Sequence, residues 1–76
     1  MKTSLDKLKK GKRGIVYRVN IGDSFKIRLL DLGITPGTEI ILVRHAPLGD
    51  PIQILIRGYC LSIRKETASK IEVLGG

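Results

Sequence analysis

The segment of residues 29–40, LLDLGITPGTEI, limits the possible folds more than any other part of this sequence. Its apolar run is expected to end at Gly33, because a glycine just past a helix adopts the left-handed conformation that closes the last turn. Pro36 fixes φ near the value needed at the second position of a β-turn, and Gly37 supplies the positive φ of a type II third position. The segment therefore predicts a helix that stops at Gly33 and a turn that leads directly into a strand.

The residues before this corner predict the main helix of the chain. Asp23 or Ser24 is expected to cap the first turn by accepting a backbone N–H bond. Five apolar side chains follow at helical spacing and are expected to form the buried face. They are Phe25, Ile27, Leu29, Leu30 and Leu32.

Short apolar or alternating segments predict the strands. They are residues 14–20, 38–46, 51–57, 60–64 and 70–74. In the first of them, Ile15, Tyr17 and Val19 are expected to share one face, with Tyr17 in the core. Residues 38–46 are apolar on both faces.

The next two strands have clearer inward faces. These faces are formed by Ile52, Ile54 and Ile56 in one strand and by Leu61 and Ile63 in the other.

The connections complete a fold prediction. Residues 46–51 are expected to form a hairpin loop, Gly58 and Tyr59 a tight two-residue turn with glycine first, and residues 65–69 one helical turn. Five short strands with one inserted α-helix predict a mainly β fold, a small SH3-like barrel. The spacing alone also permits a five-stranded OB-type barrel.

The size of the chain predicts a single domain spanning residues 1–76. Aromatic residues make up only 4% of the sequence, so the core must be built mostly from Ile, Leu and Val. No apolar run approaches the roughly 20 residues needed to cross a bilayer. With a single cysteine, Cys60, these features predict a protein of the reducing cytoplasm.

Positive charge is concentrated near the amino terminus. Residues 1–18 contain seven basic residues and one acidic residue, a net charge of +6, whereas the whole chain carries +7. A local basic patch of this kind suits nucleic acid, an anionic membrane surface or an acidic partner protein. The alternative is a solvated basic segment that only keeps the chain soluble.

The sequence offers few groups for catalysis or metal binding. His45 and Cys60 are the soft metal ligands apart from Met1, and neither has a ligand at metal-site spacing. Asp50 is a possible oxygen ligand, but a Gly-Asp-Pro sequence is more typical of a turn. No GxxxxGK phosphate loop occurs. We expect no bound metal, no cofactor and no enzymatic activity.

Several motifs in one order resemble the FeoA family of ferrous-iron uptake accessory proteins. The motifs are a leucine-rich helix with an LG-x-x-PG corner, a GDP-containing hairpin, a glycine turn and a final I-x-V strand. The matching residues are Arg28, Leu29, Leu32, Gly33, Pro36, Gly37, Gly49, Asp50, Pro51, Gly58, Arg64, Ala68, Ile71 and Val73. The resemblance implies an SH3-like barrel and a partner, the FeoB-type ferrous-iron transporter with its cytosolic GTP-binding domain.

Two groups of residues follow from these predictions. The residues expected to contact a partner are Lys9, Lys10, Lys12, Arg13, Leu48 and Asp50. The residues expected to form structural turns are Gly33, Pro36, Gly37 and Gly58.

Two alternatives to a transporter-binding module remain at this point. Nucleic-acid binding is disfavoured because base-stacking aromatic residues are scarce and Phe25 and Tyr17 are both expected in the core. Homo-oligomer formation is open because exposed barrel edges and the apolar segment of residues 40–43 favour pairing.

Overall fold

The computed structural model describes residues 2–75 and consists mainly of antiparallel β-strands. Its elements are β1 (Lys2–Ser4), a 3-10 helix (Leu5–Lys7), β2 (Arg13–Val19), α1 (Asp23–Asp31), β3 (Glu39–His45), β4 (Ile52–Ile56), β5 (Tyr59–Ile63), α2 (Lys65–Ala68) and β6 (Ile71–Gly75). Within residues 2–75, the six strands form one sheet in the order β1-β6-β2-β3-β4-β5. The mainly β class is confirmed, with one strand more than the sequence predicted.

The core is built from aliphatic side chains of strands β2 to β6, of both α-helices, of the corner after α1, and of the 3-10 helix with the residue that follows it. Ile52, Ile54 and Ile56 of β4 are fully buried, as their alternation predicts. Burying a side chain of this size contributes about 1.5–3 kcal/mol. β4, which lies between β3 and the edge strand β5, therefore contributes three fully buried side chains to the core.

The N-terminal segment is anchored on the body of the protein. Leu5 in the 3-10 helix and Leu8 just after it are both buried, as expected for two anchors. β1 pairs with β6, with Thr3 opposite Val73. The sequence did not predict this strand, because three residues without an apolar alternation carry no strand signal.

A β-bulge in β2 overturns the predicted faces of that strand. The register with β6 shifts between Val16 and Arg18. An extra residue in one strand breaks the period of two, so Val16 and Val19 both point into the core. Tyr17 is 41% exposed, and its predicted place in the core was wrong.

Helix α1 buries much less of its apolar face than its sequence predicts. Only Leu29 is buried, whereas Phe25, Ile27 and Leu32 are 42%, 59% and 41% exposed. The prediction of a core Phe25 was therefore wrong. The predicted side-chain cap is also absent, since Gly22 occupies the N-cap position without a side-chain bond.

The corner after α1 has the predicted backbone geometry. Gly33 has a φ of +97°. Its N–H donates to the Leu30 carbonyl at 3.0 Å, and the Ile34 N–H donates to the Leu29 carbonyl at 3.0 Å, which closes the helix by a Schellman motif. Gly37 follows with a φ of +93°, as a type II turn requires.

Alanine at Gly33 is expected to lower the free energy of unfolding by about 1–3 kcal/mol, and alanine at Gly37 by about 1–2 kcal/mol. Both positions have a positive φ that strains a residue with Cβ. At Gly33 the new Cβ would also lie 3.1 Å from Cδ of Arg57, whereas at Gly37 it meets nothing within 4 Å. Urea denaturation of the two variants measures the difference.

A matched control for these substitutions is Ser24→Ala, an exposed position in α1, which is expected to stay within about 0.5 kcal/mol of wild type. Wild-type stability in both glycine variants would show that the corner does not constrain the fold.

The turn between β4 and β5 lies one residue earlier than predicted. Ile56 pairs with Tyr59, so the two turn residues are Arg57 and Gly58. Both have positive φ, 48° for Arg57 and 85° for Gly58, which is the pattern of a type I′ hairpin turn. Tyr59 is therefore a strand residue, and glycine stands second in the turn.

Neither helix of residues 2–75 has the length and apolar character required to cross a bilayer.

Candidate partner-binding surface

Three of the predicted contact residues lie in one tight turn before β2. We call residues 9–12 the basic turn; Lys9, Lys10 and Lys12 are all exposed in it. The Lys12 N–H donates to the Lys9 carbonyl at 2.9 Å, and Gly11 has a φ of +81° at the third position. The turn therefore places three positive charges within four residues, on backbone of defined shape.

The basic turn is fixed to the sheet by two backbone hydrogen bonds with β3. The Gly11 N–H donates to the Leu42 carbonyl at 2.7 Å, and the Leu42 N–H donates to the Lys12 carbonyl at 2.9 Å. Leu42 is fully buried, and Leu8 is buried on the other side of the turn. The lysines thus extend from a rigid part of the fold, not from a free arm.

Arg13 has a different environment from the lysines. Its guanidinium Nη1 donates to the Glu39 carboxylate at 3.3 Å across β2 and β3, and both side chains are exposed. An exposed pair of this kind contributes about 0–1 kcal/mol. Because Glu39 offsets its charge, Arg13 adds less to the positive field than the three lysines do.

The loop of residues 46–51 carries the most exposed large apolar side chain of the described structure, Leu48, at 96% exposure. The Gly49 N–H donates to the Ala46 carbonyl at 2.7 Å, and the Ala46 N–H donates to the Pro51 carbonyl at 3.0 Å. These bonds hold the loop in a compact hairpin with Leu48 at its tip.

Asp50 joins this loop to the start of α2. Its Oδ1 accepts a hydrogen bond from the backbone N–H of Lys65 at 2.9 Å. A carboxylate at the first turn of a helix satisfies an otherwise unpaired backbone donor. Asp50 therefore positions the loop, although its carboxylate remains exposed.

His45 brings the loop and the basic turn to the same end of the molecule. It ends β3 directly before the loop, and its Nε2–H donates to the Leu8 carbonyl at 3.3 Å, next to Lys9. The residue that precedes the loop therefore contacts the residue that precedes the basic turn. We call this region, the basic turn with residues 46–51, the basic-turn surface.

The potential metal ligands are separated in the fold. His45 contacts Leu8, whereas Cys60 is exposed in β5 opposite Leu55. In residues 2–75 no three side chains of His, Cys, Asp or Glu lie close enough together to hold an ion.

Two surface grooves were not predicted from the sequence, because each is formed by residues distant in the chain. One, of about 440 Å³, lies over β3 and β4 near the Arg57 turn. The other, of about 240 Å³, lies between α1 and β5. It is lined by Phe25, Arg28, Leu29, Leu32, Leu61, Ser62, Ile63, Arg64 and Thr67.

Comparison with known families identifies the chain. The family model described as FeoA domain matches residues 3–74. The chain belongs to the FeoA family. This membership agrees with the resemblance that the motifs around the glycine corner carry.

This FeoA domain is similar to a curated fusion protein from Porphyromonas gingivalis, described as Fe(2+) transport protein A/Fe(2+) transporter FeoB. The two are 39% identical over 69 residues, which is 91% of this chain and 8% of the fusion protein. The chain thus matches only a small part of that relative.

Solved structures show the same fold. The FeoA protein from Chlorobium tepidum superimposes with a TM-score of 0.91 at 37% identity, over 96% of this chain and 70% of that chain. The zinc complex of Stenotrophomonas maltophilia FeoA, described as an SH3 domain protein, has a TM-score of 0.81 at 24% identity, over 93% and 88% of the two chains. The SH3-like barrel is therefore confirmed over the OB-type alternative.

Proposed function

We propose that this FeoA domain is a non-enzymatic accessory protein that binds a FeoB-type ferrous-iron transporter at the cytoplasmic face of the membrane. The observation that supports this proposal is the Porphyromonas gingivalis fusion, in which FeoA and FeoB occur in one chain. Covalent linkage gives two modules a high effective concentration for each other, which favours direct contact between them. A FeoA domain that is not fused to its transporter needs its own means of finding it.

The basic turn is expected to attract the domain to the transporter and its membrane through positive charge. A transporter's cytosolic domain lies beside an anionic leaflet, where each nearby lysine contributes about 1 kcal/mol of attraction. The attraction fades within a Debye length, about 8 Å at physiological salt. Lys9, Lys10 and Lys12 are therefore expected to orient the barrel and to speed its encounter with membrane and transporter together.

Leu48 supplies a contact that charge cannot. Its side chain is almost wholly exposed, and transfer of such a side chain from water into an apolar pocket contributes about 1.5–3 kcal/mol. Charge mainly sets the encounter rate and the salt sensitivity, whereas a buried apolar anchor contributes specificity. Asp50 holds the loop in position for this contact.

Replacing Lys9, Lys10 and Lys12 together by Gln is expected to weaken binding to the transporter in anionic vesicles by roughly 10- to 100-fold. The salt dependence of binding should also become shallower, because three positive charges are lost. Affinity is measured by co-sedimentation with transporter-containing vesicles over a range of salt concentrations.

The matched control replaces three exposed lysines outside the basic turn, Lys2, Lys26 and Lys70, by Gln. The control loses the same charge but is expected to bind within a few-fold of wild type. Equal affinity and equal salt dependence in the two triple variants would contradict the proposed surface. An equal loss of binding to naked duplex DNA and to the transporter would favour a nucleic-acid partner.

A further inference from the structure

We propose that the groove between α1 and β5 binds an extended protein segment that pairs with the free edge of β5 and carries apolar side chains followed or preceded by carboxylates. No residue that lines this groove belongs to the basic-turn surface. The inference therefore goes beyond the proposed function and does not rest on it.

The free edge of β5 is the first observation. Within residues 2–75, β5 stands at the end of the sheet and pairs only with β4. The other end strand, β1, has only three residues and contains Lys2, both of which discourage further pairing. β5 has five residues, Tyr-Cys-Leu-Ser-Ile, without charge or proline. The strand itself lacks the short length, charge and proline that usually prevent the addition of another strand.

The register of the hairpin identifies the free backbone groups. Ile56 and Tyr59 flank the two-residue turn, so they form a hydrogen-bonded pair. Along the two strands, hydrogen-bonded pairs then alternate with pairs that exchange no backbone hydrogen bonds. Cys60 and Ser62 are opposite Leu55 and Gln53 in the pairs without mutual backbone bonds. Their N–H and C=O groups consequently point away from β4, towards an incoming strand.

Helix α1 forms the opposite wall of the groove. Phe25 and Leu32 line it with 42% and 41% of their surface exposed, although both belong to the helix face that the sequence predicted to be buried. The Tyr59 hydroxyl donates to the Leu32 carbonyl and joins the end of α1 to the start of β5. A helix beside a free strand edge, with apolar side chains between them, is the geometry of strand-addition sites.

The charges of the groove specify the ligand. Arg28 comes from α1 and Arg64 follows β5, and every other residue that lines the groove is uncharged. Within residues 2–75 the one ion pair joins Arg13 to Glu39 and involves neither of these arginines. A second copy of this chain that paired through the same β5 edge would bring the same two arginines to the contact. A partner segment with carboxylates beside an apolar stretch is therefore favoured over a second copy of this chain.

Two acetylated peptides test the proposal in either strand direction: Thr-Val-Ser-Val-Leu-Asp-Asp and Asp-Asp-Thr-Val-Ser-Val-Leu. We expect one of them, at about 1 mM or below, to shift the backbone amide NMR signals of Cys60 and Ser62 and the side-chain signals of Phe25 and Leu32. The same peptide with Lys in place of Asp is expected to bind roughly tenfold more weakly or not at all.

Variants separate edge pairing from charge. Ser62→Pro removes an N–H that points away from β4, so the hairpin is retained and peptide binding is lost. Arg28→Gln with Arg64→Gln should weaken binding roughly tenfold, whereas the control Lys26→Gln with Lys70→Gln should not. If Ser62→Pro does not fold, a peptide N-methylated on alternate residues gives the same test on the wild-type protein.

Three outcomes would overturn the proposal. They are an absence of signal shifts with both peptides, equal binding of the Asp and Lys peptides, and unchanged peptide binding by a folded Ser62→Pro variant. Because no transporter is present in these measurements, failure here leaves the proposed function untouched.

Discussion

Ile54→Ala is expected to lower the free energy of unfolding by about 2–5 kcal/mol, because it leaves a cavity at the centre of the core. Ile54 is fully buried in β4, between Leu42 of β3 and Leu61 of β5 in the register of the sheet. In a domain of this size each kcal/mol shifts the melting temperature by roughly 4–8 °C. Thermal unfolding followed by circular dichroism measures the change.

Leu55→Ala is the matched control for this substitution. Leu55 is the next residue of β4 and is only half-buried on the outer face of the sheet. It is expected to lose less than half the stability that Ile54→Ala loses. Equal losses at the two positions would mean that the side chain of Leu55 is as well buried as that of Ile54. The assignment of Ile54 to the core face and of Leu55 to the outer face would then be wrong.

Leu5→Ala is expected to cost about 2–5 kcal/mol as well, although Leu5 lies near the amino terminus. Its side chain is fully buried, and the 3-10 helix that carries it contacts α2 and β6. Loss of this anchor should also release β1 from β6. The hydrogen-exchange rate of the Thr3 amide should increase by at least the factor that corresponds to the loss of global stability.

Lys7→Ala tests the same 3-10 helix without removing a buried side chain. Lys7 is exposed, and its replacement is expected to change stability by less than about 0.5 kcal/mol. If Leu5→Ala changed stability as little as Lys7→Ala, the N-terminal segment would not be part of the folded core. The basic turn would then be fixed to the protein only by its hydrogen bonds with Leu42.

Sequence reasoning predicted the fold correctly where a local pattern permits only one conformation. Ile52, Ile54 and Ile56 alternate without interruption, and only one register buries all three. Gly33 and Gly37 stand where a positive φ is needed, and the structure has them there. Strong local signals of this kind do not depend on the rest of the chain.

The errors arose where long-range contacts override the local pattern. Nothing in the residues around Tyr17 indicates that β2 inserts an extra residue against β6. Arg57 adopts a φ of 48°, which a non-glycine residue seldom does, so the turn was placed one residue late. The helical spacing of Phe25 predicted a buried side chain, but Leu29 is the residue of α1 that the rest of the protein buries.

The candidate site shows the same division. The positive charge of Lys9, Lys10 and Lys12 is a property of the sequence, whereas their attachment to Leu42 is a tertiary feature. The start of the Leu48 loop is joined to the start of the basic turn by the contact between His45 and Leu8, which is also a tertiary feature. The groove beside β5 brings together segments about 35 residues apart, and no local pattern could indicate it.

The most direct test of the central claim compares binding of this FeoA domain to two sets of nanodiscs made from the same anionic lipid. One set contains a FeoB-type transporter and the other is empty. We expect saturable, stoichiometric binding to the transporter discs, weakened by salt, and at least about tenfold weaker binding to empty discs. Equal binding to both sets, or none to the transporter discs, would contradict the claim that the transporter is the partner.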